Sequence, residues 1–261
     1  MTDSKCEELH WERMPAPDVA ALAKKTNVAL VPLGCMEAHG PHLPTGTDSY
    51  HALATCERAA AMEPAVILPP IFYNLNDQMQ GYPGTIHISH DTLARFYYDL
   101  CVDLARNGFD RILFFIGHGG SEPPLDRMMS DLLAHYARTK EWPYFAVYTR
   151  LTTLTLEERK EIYREIHNHG HASAIETAWV LACRPDLVHL DRVDRPARQG
   201  GPTKLPDVFM RLPWERGVPD GYQLDPRAAT VADGNTMLDA AARRLAEIIK
   251  RLKTFDPYKD C

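Results

Sequence analysis

Four short segments of the chain are apolar almost without interruption: VALVPL (28–33), AVILPP (65–70), RILFFIG (111–117) and YFAVY (144–148). A strand with water on one face alternates apolar and polar residues. A strand that is apolar throughout must be covered on both faces, which is the condition of a parallel or mostly parallel sheet. Between the second and third segments, Leu93, Phe96, Tyr97, Leu100, Cys101 and Leu104 recur at helical spacing, and Asn107-Gly108 supplies a stop. Near the end, Leu238, Ala241, Ala242, Leu245, Ile249 and Leu252 repeat the pattern opposite a polar face of Asp239, Arg243, Arg244, Glu247 and Lys250. Strands alternating with helices of this length predict an α/β fold, a mostly parallel sheet flanked by helices on both faces.

The 261 residues suffice for one large core, so a single domain over 1–261 is expected. The net charge of -6, with no clustered Lys and Arg, excludes a polyanion-binding surface, and nucleic acid is not an expected partner. The first residues lack the basic-then-apolar order of a signal peptide, and no apolar run approaches the ~20 residues that span a bilayer, so no membrane association and a cytoplasmic location are expected. Cysteines stand at 6, 35, 56, 101, 183 and 261 with no C-x-x-C pair. That spacing suggests neither a disulfide framework nor a thiolate zinc site, and reads as buried small hydrophobes. From about 191 to 228 the text turns rich in Pro, Gly and charge, which predicts a long loop excursion with a functional or subunit-contact role.

Directly after the first apolar segment comes PLGCMEAHGPHLPTGTDSY (32–50), where Pro and Gly argue against both helix and sheet ladder while ionisable groups concentrate. Glu37 and His39 are two apart, which in extended chain sends both side chains to one side, and Asp48 returns after the GPHLPTGT turn. Carboxylate plus imidazole without thiolate is a ligand set for Zn²⁺, Mn²⁺ or Fe²⁺. Open α/β sheets place ligands at the carboxyl ends of their strands. The third segment ends there too, in FFIGHGG, where glycines at 117, 119 and 120 let the backbone around His118 approach closely. Two loops at one sheet edge can share a site. A third cluster, HNHGHASAIETAWVLACRPDLV, predicts a helix from near Ala174 to just before Arg184-Pro185, with Glu176 in its first turn. The helix dipole alone would stabilise a carboxylate at that place.

Taken in order, PLGCMEAHGPHLPTGTD, YPGTI (82–86), GHGG, HASAIETA followed by RPDLV, and GYQLDPRAATVADG resemble the creatininase (creatinine amidohydrolase) family, from about residue 28 to the end. The resemblance implies a three-layer α/β enzyme that is often hexameric, carries two divalent ions per chain (Zn, Mn or Fe) and hydrolyses a C–N bond of a small cyclic amide or formamide. It implies that Asp48 bridges the metals, that Glu37 and His118 complete one site, and that His39 serves the other. Creatininase proper supplies a further glutamate two residues after the GH-motif histidine, where this chain has Gly120. Relatives with GHGG use the glutamate matching Glu176, which is carried over here as the fifth ligand. His171 matches the family's proton-handling histidine, His42 is assigned a structural hydrogen bond, and His167 and His169, without a match, read as a solvated loop.

The implied chemistry is attack by a metal-bridging hydroxide, an oxyanion held by metal and loop donors, and proton delivery by His171 to the leaving nitrogen. No organic cofactor is required. Ser121, Ala174 and Met79 depart from the family's usual residues, so hydrolysis is better supported than creatinine as substrate. Glu122 is a second candidate catalytic residue, with the alternative that it is the N-terminal carboxylate of a helix following Pro123-Pro124. Three other readings remain at this point. One is a hydrolase opening a cyclic ketone or lactone in carbohydrate breakdown, and another is a metal-stabilised, non-catalytic binding or assembly protein. The third, a metal-free hydrolase, lacks a G-x-S-x-G elbow and would need Cys35 as nucleophile, where packing is the simpler role.

Overall fold

A computed structural model of the chain describes residues 9–162, 170–198, 213–256 and 259. Its four strands are β1 (Val28–Leu33), β2 (Val66–Ile67), β3 (Arg111–Ile116) and β4 (Phe145–Arg150), all parallel and ordered β2-β1-β3-β4. Every residue of β1 is buried, as an apolar run without alternation requires. The second strand is shorter than its apolar run because Pro69 and Pro70 have no N–H to give a ladder.

The helices are α1 (Ala16–Leu22), α2 (Thr47–Met62), α3 (His90–Arg106), α4 (Glu122–Thr139), α5 (Leu151–Leu154), α6 (Leu156–Ile162), α7 (Ala174–Cys183) and α8 (Val231–Thr254). Helices α2, α7 and α8 pack on one another and α2 and α8 on the sheet, while α3 and α4 form a second pair with α3 against β3. This is the layered α/β architecture that the patterning predicts. The apolar faces of α3 and α8 fall where their spacing puts them: Leu93, Tyr97, Cys101 and Leu104 on one, Leu238, Ala241, Leu245 and Ile249 on the other, are buried.

The stretch 32–50 differs from expectation at its far end. Pro32 and Leu33 complete β1, as the apolar run predicts, but from Thr47 the chain is already helical. Helix α2 escapes a search for periodicity because its buried face is built of small residues, Ala52, Cys56, Ala59 and Ala60, instead of Leu and Ile. Its small face lets it lie close on the sheet. Of the 191–228 excursion, the described parts hold short 3-10 turns at Leu190–Arg192, Trp214–Arg216 and Pro226–Ala228. Asp220 accepts hydrogen bonds from Arg195 (2.9 Å) and Arg198 (2.7 Å), which hold the 195–198 and 213–225 stretches together. His167 and His169 lie outside the described residues. No helix among the described residues is long and apolar enough to cross a membrane.

What the sheet does for the site is set by register. Leu33 pairs with Ile116 at the last position of the β1/β3 ladder, so the loops opening at Gly34 and Gly117 leave the sheet side by side. In the order 2-1-3-4 this is where the connections from β1 and β3 depart to opposite sides, the crevice in which open α/β sheets bind ligands. The first turn of α2 presses against the same point: a Cβ at Gly117 would collide with the backbone oxygen of Asp48. Gly117→Ala is therefore expected to cost about 1–3 kcal/mol through overpacking, read as a lowered urea midpoint at unchanged slope.

Candidate metal centre

The five predicted ligands, Glu37, His39, Asp48, His118 and Glu176, meet at the carboxyl ends of β1 and β3. His39 Nδ1 lies 2.9 Å from the backbone oxygen of Glu37. A carbonyl only accepts, so Nδ1 carries the proton and the Nε2 lone pair is left to face outward. It faces Asp48 Oδ1 at 3.2 Å and Glu176 Oε2 at 3.5 Å, yet makes no hydrogen bond. His118 repeats the arrangement with its nitrogens exchanged. Nε2 donates to the Leu75 carbonyl (2.8 Å), which turns the Nδ1 lone pair toward Asp48 Oδ2 at 3.0 Å and Glu37 Oε2 at 3.3 Å. Two imidazole lone pairs each confront two carboxylate oxygens, and Asp48 gives one oxygen to each set.

Such a set needs a positive charge at each centre. Burial opposes charging of His39, but Asp48 and Glu176 outweigh it and push the ring up to about 10. His118 is likewise driven well above its ordinary range: burial resists, and Cys35, Glu37 and Asp48 prevail. Asp48, despite burial, is held well below the usual carboxylate range by His39 and by the hydrogen bond that His118 donates when charged, with Nδ1 protonated as well as Nε2. A divalent cation meets the same demand as those protons, with both histidines presenting neutral nitrogen, so the residues fit a pair of metal ions. The Leu75 and Glu37 carbonyls that fix the two tautomers are the outer supports such ligands require.

Glu176 sits in the first turn of α7, and its Oε2 accepts from the Ala172 N–H (2.6 Å). Ala172 adopts φ 50°, a left-handed conformation that costs a non-glycine residue about 1–2 kcal/mol and turns the chain from His171 into the helix. At Gly120 a Cβ would collide with the Leu75 oxygen and with His118 Nε2, so no side chain can reach the centre from there. The carboxylate beside His39 comes from α7 instead.

His171 packs against His39 with ring centroids 4.2 Å apart and the planes tilted by 38°. Its Nε2 donates to the Ala38 carbonyl (2.6 Å), which leaves Nδ1 unprotonated, 3.8 Å from Glu37 Oε2. Burial, then the neighbouring His39, lowers its pKa, so the ring is neutral near pH 7. His171, Glu37, Asp48, His118 and Glu176 line a cavity of about 390 Å³, shared with Met79 and bounded on one side by Trp214, whose ring meets His171 edge-on at 5.3 Å. Glu122 is not brought to this cavity. It begins α4 and is ion-paired with Arg150 at the end of β4. Of the three departures, Met79 alone faces the cavity; Ser121 is turned to Asn74 (2.8 Å) and Ala174 is buried in the core.

Sequence reasoning did not find His51, whose Nε2 is 3.4 Å from Asp48 Oδ1, nor the asparagines that pin the first loop. Asn74 Nδ2 donates to Gly34 O (2.9 Å), and Asn76 Nδ2 to Met36 O (3.2 Å) and Ile86 O (2.8 Å). The i,i+3 spacing of Asp48 and His51 would have signalled the first only had α2 been recognised.

The family model for creatininase (creatinine amidohydrolase) matches residues 12–249. The chain belongs to the creatininase family. It is 26% identical to the creatinine amidohydrolase of Pseudomonas putida, over 93% of this chain and 95% of that one, and 29% identical to the mycofactocin precursor peptide peptidase of Mycolicibacterium smegmatis, over 86% and 85%. Among solved structures, a creatininase mutant of Zn-Zn type superposes with a TM-score of 0.81 at 24% identity, covering 95% of this chain and 99% of that one. As a member of this family the protein is a hydrolase, and its buried His, Glu and Asp cluster is a metal-binding site.

One family-motif histidine lies outside the metal set. Thr177 Oγ1 spends its hydrogen on the Ser173 carbonyl, so His42 Nε2 donates to it at 3.1 Å and the ring is held neutral. Burial, then His39, pushes His42 down to about 4 from the ordinary 6.5. A depressed histidine gives full stability above 6.5 and loses it as pH falls toward 4, because the unfolded chain takes up the proton first. Over that window the wild type should lose up to about 3 kcal/mol that His42→Gln does not, measured as the difference between the two in urea midpoints against pH.

Proposed function

We propose that this creatininase-family hydrolase holds two divalent cations and cleaves a C–N bond of a small polar molecule, a cyclic amide or a formamide, within one domain spanning the chain. The observation that carries the reading is Asp48, whose Oδ1 belongs to the His39 and Glu176 set and whose Oδ2 belongs to the His118 and Glu37 set. A carboxylate so divided, buried and flanked by two outward-facing imidazole lone pairs, suits a bridge between cations. In bound form, such a cation pair lowers the pKa of water toward neutrality and polarises a carbonyl.

The chain's own residues supply the rest. His171, neutral and with Nδ1 free of a proton, accepts a proton at that nitrogen and returns it to the departing amine. Its Nε2–H bond to the Ala38 carbonyl and its contact with His39 fix the ring plane, so the proton moves along one direction. Trp214 limits water at the cavity's side and offers an aromatic face to a planar substrate. Met79, also lining the cavity, has no donor and only a weakly accepting sulfur to offer a polar substrate group, which favours a substrate other than creatinine. Glu122 is assigned to the first turn of α4 and to its pair with Arg150, not to the reaction. Assembly into a homo-oligomer, a hexamer by the family resemblance, is part of the same reading, supported by Tyr73 and Phe96, which are 52% and 47% exposed around one apolar depression.

Elemental analysis of untagged protein should return about two divalent ions per chain. Asp48→Ala should abolish both, since a bridging ligand serves each, while Glu122→Ala keeps them. Full occupancy in Asp48→Ala would refute the shared-carboxylate reading. With metal established, turnover on cyclic amides, formamides and a short peptide is expected to show C–N cleavage. Opening of a cyclic ketone or lactone, with no C–N cleavage, would move the protein to the carbohydrate-breakdown alternative.

A further inference from the structure

Cys35 has no part in the ligand set that the family resemblance implies. It is fully buried in the loop just after β1, which makes a nucleophilic role poor, since burial pushes its thiol well above the ordinary range. Packing alone does not describe its surroundings, however. Its Sγ is 3.1 Å from Asp48 Oδ2 and 3.8 Å from Glu37 Oε2, and lies in one cluster with His118 Nδ1. His118 Nδ1 is itself 3.0 Å from Asp48 Oδ2 and 3.3 Å from Glu37 Oε2. Donors bound at ~2.0–2.3 Å to a tetrahedral ion stand roughly 3.3–3.6 Å apart, and these separations scatter about that edge length. The other set, His39 with Asp48 Oδ1 and Glu176, contains three donors.

We propose that Cys35 is a fourth protein ligand to the cation held by Glu37, Asp48 and His118, so that the centre is asymmetric. One site is closed by four protein donors, one of them sulfur, and the other keeps a coordination position for water or substrate. The inference rests on the reading above that these residues hold two cations. Binding at the first site forms a metal–sulfur bond with a sulfur electron pair and releases the thiol proton to solvent; nothing is oxidised or reduced. A thiolate is a soft donor that favours Zn²⁺ and Co²⁺ over Mn²⁺, and closed four-donor sites are the tightly held, structural kind. The site then selects its metal by a residue that a search for paired cysteines passes over, because the other three donors come from Glu, Asp and His.

The test is the absorption spectrum of the full-length protein loaded with Co²⁺ in place of its own metal. The wild type should show a sulfur-to-cobalt charge-transfer band in the near ultraviolet beside the visible cobalt bands, and Cys35→Ser should lose the ultraviolet band while still binding cobalt. Cys35→Ser should also lose the preference for Zn²⁺ over Mn²⁺ in competition. X-ray absorption of the wild-type zinc protein provides a second reading that needs no variant: one sulfur scatterer at about 2.3 Å for every two zinc ions. Visible cobalt bands without charge transfer, a band that survives in Cys35→Ser, or zinc with only nitrogen and oxygen neighbours would overturn the sulfur ligand and leave the two-cation reading standing. Failure of the wild type to bind Co²⁺ or Zn²⁺ at all would overturn both.

Discussion

The two oxygens of Asp48 are the point on which the rest of this molecule turns. Each is drawn toward a different imidazole, and each imidazole is held there by a proton committed to a backbone carbonyl, of Glu37 in one case and Leu75 in the other. Burying two or three carboxylates within a few ångströms is unfavourable unless positive charge accompanies them. The surrounding structure is arranged around that requirement. Glycine at 117 admits the Asp48 backbone, Asn74 and Asn76 fasten the loop that carries Glu37, and α7 brings Glu176 from far along the chain.

The sheet makes this possible by geometry alone. Parallel strands in register to their last residue release their loops at one height, and Leu33 opposite Ile116 does that for β1 and β3. A shift of one residue would turn either Cys35 and Glu37 or His118 away from the centre, since side chains alternate along an extended chain. The buried apolar strands are therefore also the ruler that sets the ligand spacing.

The four strands were legible as unbroken apolar runs and α3 and α8 by their helical period, Glu37, His39 and His118 because they stand just after strands, and Asp48 because it closes the same Gly- and Pro-rich stretch. Glu176 came from the family resemblance, and the structure adds why the substitution is needed: position 120 has no room for a side chain. Less accessible were the features that depend on distance in three dimensions. The small-residue face of α2 hid the helix and with it His51. Cys35 was masked by an argument from pairs of cysteines, which cannot register a mixed donor set. Trp214 and Asn74 carry no sequence signal, since an aromatic in a polar loop and an asparagine between strands acquire meaning only from what they touch.

The centre is also divided along the chain. Cys35, Glu37, Asp48 and His118 all lie within the β1 to β3 portion, whereas the His39 set is incomplete until Glu176 and α7 are in place. Chains emerge from the ribosome N-terminal end first, so these donors are present before α7 and α8, which belong to the same core, have been made. Half of the centre is thus encoded in the first part to be synthesised, and the other half closes only when the C-terminal helices dock.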